Sequence, residues 1–324
     1  IKLSKQVQLI RNTVRIAHEI GLPRVVLLNL LGVLVLGCAP VSMHDSLKQL
    51  NKVPVMSKAT TKWMFSDDSR GVAMVIHGLN LRPSAMSPVS EHLVAQGVDV
   101  LQVTLSGHDM ASEDDQQRLH RFKHVSYRSW RREIQEAYAL LAVRAAEREV
   151  PKYLVGYSIG ALLGIDILMG DSSDRESPMY DKMLLLAPAV AVRPTSHFLR
   201  PFSWFPEMVM PSFSPRDYHA NWGTPMAAYN ALYDAMAHFD ERVSSAINIP
   251  SLVIIDNGDE LVSPSGIEHL VDKYQLTQWN ITFIEKSNDA NTWYNHLLLD
   301  EWSLGTQSWR DMMQSIDEFL IQEK

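Results

Sequence analysis

The sequence predicts an α/β protein in which a mostly parallel sheet carries helices on both faces, and three observations support it. Runs of strand length at 72–76, 98–105, 153–155, 182–186 and 250–255 are rich in apolar residues, and that at 72–76 is continuous and carries β-branched residues, as in a strand buried on both faces. Longer stretches between them repeat apolar residues at helical spacing, clearest at 128–149, where Trp130, Ile134, Ala137, Tyr138 and Leu141 share one face. The two kinds alternate along the chain, and strands separated by helices pair in parallel.

At 324 residues the chain can bury one large core, and 46% hydrophobic with 21% charged residues is the balance of an ordinary globular protein. A formal charge of −7 suggests no basic face to neutralise phosphates, so no nucleic-acid partner is expected. The basic cluster at 118–124 is short and reads as a solvated loop.

The first residues read as a targeting segment outside the fold. Lys2, Lys5, Arg11, Arg15 and Arg24 lead into an apolar run at 25–37, the length of a signal-peptide core rather than a full membrane span. Val35-Leu36-Gly37-Cys38 resembles the lipobox of bacterial lipoproteins, which implies a signal peptide over 1–37 and lipid attachment at Cys38. Cys38 is the only cysteine, so no disulfide framework or zinc cluster can form within one copy. Cleavage there removes five basic residues and one acid, taking 30 Lys+Arg to 25 and 37 Asp+Glu to 36, a formal −11. Anionic lipid repels such a body, so the expected membrane attachment rests on the lipid anchor and not on charge. Ala39, where an aspartate would signal inner-membrane retention, points the resemblance to the outer membrane of a bacterial envelope, periplasmic face. The sequence opens on Ile1 rather than Met, which leaves the start of translation open.

Residues 38–58 are polar and mixed and read as a tether into a domain over 59–324. A strand at 61–65 is turned by the polar stretch 66–71, and the run at 72–76 leads into His77-Gly78-Leu79-Asn80. Pro83 opens a helix that Gly97 stops, and the strand at 98–105 ends in Ser106-Gly107-His108-Asp109. The helix at 128–149 precedes the strand at 153–155, and 159–169 is apolar and long enough for a buried helix. After 182–186 the alternation breaks. Pro194, Phe198, Pro201, Phe202, Trp204 and Phe205 crowd the stretch 189–248, which reads as a lid or cap insertion, or as an extra helical layer filled by aromatic side chains. The pattern resumes with the strand at 250–255, a helix at 266–274, a strand at 280–284 and a closing amphipathic helix at 306–321.

Between strand and helix lies Gly156-Tyr157-Ser158-Ile159-Gly160, a G-x-S-x-G pattern. A serine on so sharp a turn has a strained backbone, and small residues two before and two after let strand and helix approach. The helix start aims its N–H groups at charge forming beside Ser158. A serine nucleophile needs a base, and the base an orienting acid, in the chain order Ser, Asp/Glu, His on such folds. His269 and His296 lie beyond the strand at 250–255; His269 sits on a predicted helix close to the acid loop, so His296, in a loop after the last strand, is the candidate base. Asp256, Asp259 and Glu260 share the loop after 250–255, and Asp259, in Asp259-Glu-Leu-Val262, is the candidate acid, with Asp256 its rival and Glu260 behind both. The oxyanion hole is expected from the N–H of Ile159 and, because Gly78 lets the chain turn tightly, that of Leu79. His77 and His108 read as structural histidines.

The His77-Gly78 loop, Ser106-Gly107-His108, the G-x-S-x-G turn, D-x-x-V and the late Asn295-His296-Leu297 all stand in order over about 60–322, and together they resemble the α/β-hydrolase superfamily, in particular its monoacylglycerol-lipase, carboxylesterase and serine-aminopeptidase-like branch. The resemblance implies the α/β-hydrolase fold and a serine hydrolase that cleaves carboxylic esters of hydrophobic acyl groups without metal or organic cofactor. A thioesterase or a peptidase of small amides is the alternative within enzymes, and a lipid-anchored binding protein with an idle site the alternative outside them. Epoxide hydrolase or dehalogenase chemistry would need an aspartate where Ser158 stands. Ala161 and Asp109 depart from the family pattern, where glycines are common; the first bears on packing behind the turn, the second on the pocket rim.

Overall fold

A computed structural model describes residues 60–320 apart from 110–113, 171–177 and 213, all of them within the compact unit Ser57–Lys324. The expected signal peptide, Cys38 and the tether at 38–58 lie outside the described residues. Strands β1 (Thr60–Met64), β2 (Gly71–Ile76), β3 (Val98–Thr104), β4 (Lys152–Tyr157) and β5 (Lys182–Leu186) are joined after the insert by β8 (Ser251–Ile255) and β9 (Trp279–Phe283). They form one sheet in the order β1-β3-β2-β4-β5-β8-β9. Only β1 runs antiparallel to its neighbour, β3; every other pair is parallel. Each residue of β2 and β8 is buried, the consequence of apolar runs covered on both faces.

Helices α1 (Ser87–Ala95), α2 (Asp115–Phe122), α3 (Tyr127–Arg148) and α4 (Ile159–Asp166) come from the first half of the unit. The helix expected from Pro83 opens instead as a 3-10 turn, Pro83–Met86, because Pro88 lacks the N–H that a continuous helix would need and so sits in the first turn of α1. Helix α4 is buried at all eight positions, apolar but for Asp166, whose carboxylate is held by Tyr127, Arg131 and His238, and a 3-10 turn, Ile167–Met169, completes the expected stretch. The basic cluster at 118–124 is not a solvated loop. It lies largely on α2, where Arg118 and Phe122 are buried, Arg118 donates from Nε to the carbonyl of Ala220 at 2.7 Å, and its guanidinium meets Asp115 at 2.6 Å.

The stretch at 189–248 divides. Its first part is a proline-interrupted 3-10 segment, Pro194–Phe202, and a short antiparallel hairpin of β6 (Val209–Pro211) and β7 (Gly223–Pro225). Its second part is α5 (Met226–Arg242), which packs on α4 and buries Ala228, Ala231, Ala235 and Phe239 in the same core cluster. The alanines let the two helices approach, so one face of α5 belongs to the core, while Tyr229 and Leu232 on the same helix line a cavity. Helices α6 (Pro264–Tyr274), α7 (Glu301–Leu304) and α8 (Thr306–Leu320) complete the unit. Among the described residues no helix is long and apolar enough to cross a membrane.

Candidate active site

Ser158 follows β4 directly and caps α4 with φ of 53° and ψ of −119°, a left-handed conformation that costs about 1–3 kcal/mol and is held by its surroundings. Its N–H donates to Leu186 at 2.9 Å, and its carbonyl accepts from Ala189 at 3.1 Å. The glycines of the turn are required by contact rather than by φ. A Cβ on Gly160 would lie 2.4 Å from the carbonyl oxygen of Ile76 and 2.5 Å from that of His77, and one on Gly156 would lie 2.4 Å from Cα of Ala161. Ala161 is tolerated because Gly156 opposite it has no side chain.

The structure brings Ser158, His296 and Asp259 together. His296 Nε2 is 3.1 Å from Ser158 Oγ, and its Nδ1 is 2.8 Å from Asp259 Oδ2. Asp259 Oδ1 accepts the N–H groups of Leu261 and Val262 at 2.8 and 2.7 Å, which leaves Oδ2 for the imidazole. Burial alone would raise the Asp259 carboxyl, but the His296 imidazole and those two amides outweigh it and hold the group below the ordinary aspartate value. The rival Asp256 turns to the N–H of Gly258 at 2.7 Å, and burial pushes its carboxyl up. Glu260 is not hydrogen-bonded to the ring. Its two oxygens accept the main-chain N–H groups of Asn295 and His296, each at 3.0 Å.

The loop after β2 is set by two histidines. His77 Nε2 accepts the N–H of Leu105 at 3.1 Å, so the proton sits on Nδ1, which donates to Gly78 O at 2.8 Å. His108 Nε2 accepts the N–H of Asn80 at 3.0 Å in the same way. Both rings are fully buried with centroids 4.5 Å apart; burial drives His77 down to about 4 and His108 well below its ordinary value. Both are thus neutral structural groups. They brace the loop of Leu79, and Leu79 and Ile159 both line the cavity onto which Ser158 opens. The Ile159 N–H is the first of α4 and has no intrahelical acceptor.

That cavity has a volume of about 370 Å³. Leu199, Leu232, Leu261 and Val262 make it largely apolar, Phe198 and Trp293 stand at it while largely exposed, and Ser212, Ser214 and Thr224 of the hairpin region add hydroxyls to one wall. Asp109 is half-buried and does not line it, contrary to the expectation of an altered rim. Among the described residues no group of three or more His, Cys, Asp or Glu is placed to hold a metal ion.

Residues 67–227 match the family model described as Hydrolase_4, serine aminopeptidase, S33. The sheet order, the left-handed serine between β4 and α4, and this match decide the family. The chain is an α/β hydrolase. It belongs with the serine hydrolases of that superfamily. No curated protein matches the hydrolase by sequence. Among solved structures it resembles a monoglyceride lipase from Saccharomyces cerevisiae, solved as a soluble variant with a substrate analogue, at 12% identity and TM-score 0.62 over 82% of this chain and 92% of that one. A metagenome-derived lipolytic enzyme matches at 19% identity and TM-score 0.61, over 80% and 96%. A monoacylglycerol lipase from Paleococcus ferrophilus matches at 15% identity and TM-score 0.56, over 82% and 98%. At such identities the likeness is one of fold.

The arrangement around Glu260 was not legible in the sequence. Its partners stand 35 and 36 residues away and are main-chain groups, which leave no mark in residue identity.

Proposed function

We propose that the hydrolase cleaves carboxylic esters of hydrophobic acyl groups through an acyl-enzyme on Ser158. The observation that carries this reading is the relay from Ser158 through His296 to Asp259 at the mouth of a largely apolar cavity. His296 Nε2 takes the proton from Ser158 Oγ as that oxygen attacks the ester carbonyl. The oxyanion forms between the N–H groups of Leu79 and Ile159, and collapse expels the alkoxide, which leaves with the proton from Nε2. Water then repeats the sequence: Nε2 takes its proton, hydroxide adds to the acyl carbon, and Ser158 departs with the proton returned. Asp259 holds the imidazole in the tautomer with its proton on Nδ1 and stabilises the imidazolium of each half-reaction.

The description of the matched family raises a second reading, release of N-terminal residues from small peptides. Such a substrate needs an acid to receive its ammonium. Among the described residues lining the cavity the one carboxylate is Glu260, already bonded to two main-chain N–H groups, and apart from His296 the remaining lining is apolar or hydroxylic. The ester reading is therefore preferred. A fluorophosphonate probe is expected to label the wild type and not Ser158→Ala, and p-nitrophenyl esters of rising acyl length to be turned over faster than aminoacyl anilides. Equal labelling of both proteins removes the nucleophile assignment, and faster anilide turnover restores the peptidase reading.

Envelope anchoring through a lipid on Cys38 belongs to the same proposal. Metabolic labelling with a fatty acid is expected to mark the wild type and to be lost in Cys38→Ala.

A further inference from the structure

His296 stands in the connection from 284 to 300, which contains neither helix nor strand. Secondary structure therefore does not fix the base, yet a base must be held within a fraction of an ångström of its partner to act. Side chains do the holding. Glu260 Oε2 accepts the N–H of His296 and Oε1 that of Asn295. On the other side of the same residue the Tyr157 hydroxyl donates to the carbonyl of His296 at 2.9 Å. One position further, the Lys286 ammonium donates to the carbonyl of Leu297 at 2.7 Å.

Resting on the reading of His296 as the base, we propose that Glu260 is a positioning residue for the reaction. It holds the main chain of the histidine whose ring its neighbour Asp259 holds, and it sets a second fixed negative charge beside the imidazolium. Two adjacent carboxylates thus act on one residue, one through the ring and one through the backbone.

The chemistry explains why this position carries a carboxylate. Two main-chain N–H donors converge on it, and each takes a separate oxygen. A glutamine would offer one acceptor and turn its NH₂ toward the other donor. Truncation would leave two N–H groups facing a gap. Tyr157 completes the hold from the turn itself, since its ring lies against Gly78, where a Cβ would come within 2.7 Å of it. The base is in this way tied to the acid loop, to the nucleophile turn and to the loop of Leu79.

The charge environment of His296 comes from several elements. Asp259 faces the ring, and Tyr157 and Tyr294 have ring centroids 5.2 and 6.0 Å from it. Asp256, Glu260 and Asp300 surround Lys286, whose ammonium burial disfavours and these acids support. Arg193 donates from Nε to the carbonyl of Asp259. In that set Glu260 is bonded to His296 itself, so removing its charge favours the neutral imidazole.

The test uses the full chain, p-nitrophenyl butyrate kinetics from pH 5 to 9, fluorophosphonate labelling of Ser158 and thermal melting. Glu260→Gln is expected to lower kcat by about ten- to a hundredfold with KM within about threefold, and to move the acid limb of kcat/KM down by about half a pH unit. Tyr157→Phe removes a neutral donor and is expected to lower kcat by about three- to tenfold with the limb unmoved. A merely structural role for Glu260 would lower activity without moving that limb. Glu260→Gln with kcat within twofold of wild type, or with its limb in place, overturns the proposal while Ser158 still labels. A wild type that does not label at Ser158 overturns the parent reading with it. Should Glu260→Gln fail to fold, Glu260→Asp decides, with the charge kept one methylene back: a tenfold loss of kcat with the limb unmoved supports the proposal, and full activity overturns it.

Discussion

Around Ser158 the chain has almost no freedom. The residues of α4 are all buried, a Cβ on either glycine flanking the serine would fall within 2.4 Å of backbone atoms, and the φ of Ser158 is one that its surroundings must impose. The first part of the insert, which walls the same cavity, is built differently. From Pro194 to Phe202 only Leu199 is buried, while Phe198 is 59% and Trp204, just beyond, 87% exposed. In the proposed reaction one region holds the nucleophile, and the other lines the cavity that receives the substrate. Substitutions should separate along that line, with steep losses of rate or stability at the first and changes of selectivity at the second.

The largest effect is expected from Asp259→Asn. Its amide can still accept the loop N–H groups but no longer stabilises an imidazolium, so kcat should fall by about 10³–10⁴-fold with little change in melting temperature. Steady-state ester kinetics beside a melt would check this. Gly160→Ala comes next. The added methyl meets two backbone carbonyls that cannot step aside, so a loss of about 3 kcal/mol in urea unfolding is expected. An unchanged midpoint would mean that the turn has more room than its geometry allows.

Acid should find the rigid region too. His77 titrates near 4 in the folded chain against an ordinary 6.5, so between those values the unfolded chain binds the extra proton. Stability that is fully present above pH 6.5 is therefore lost as the pH falls toward 4, by about 3 kcal/mol for this group. Denaturant midpoints across that window should fall faster for the wild type than for His77→Gln. The smallest effect on stability belongs to the insert. Phe198→Ala should stay within about 0.5 kcal/mol of wild type, yet shift the preferred acyl length on an ester panel. Equal chain-length profiles would show that this wall does not select.

The same division governs what could be read before the fold was known. The turn at Ser158 is legible because its demands fall on neighbours in sequence: small residues at fixed offsets, a strand before, a helix after. The order of acid and base narrowed the rest, and hydrogen bonding separates Asp259 from Asp256, a choice that position at the strand end left open. Arg118 was misread because its acceptor, Ala220, stands 102 residues away, and a buried charge looks in sequence like a solvated one. The insert resisted for another reason. Its prolines and aromatics follow no period, and the alanines of α5 that place that helix in the core carry little signal until α4 lies beside them.

Asn80 joins the two regions. Its N–H is held by His108, its Nδ2 donates to Ser212 Oγ at 2.6 Å and to the carbonyl of Asn221 at 3.0 Å, and its Oδ1 accepts the Asn221 N–H at 2.9 Å. It stands one residue after Leu79, at φ of 52°. The hairpin wall and the loop of Leu79 are therefore tied into a single mechanical part. The wall cannot swing outward without either breaking the hydrogen bonds of Asn80 to Ser212, Ala220 and Asn221 or dragging the Leu79 amide with it, so the hinge of any opening must lie beyond Asn221 or before Ser212.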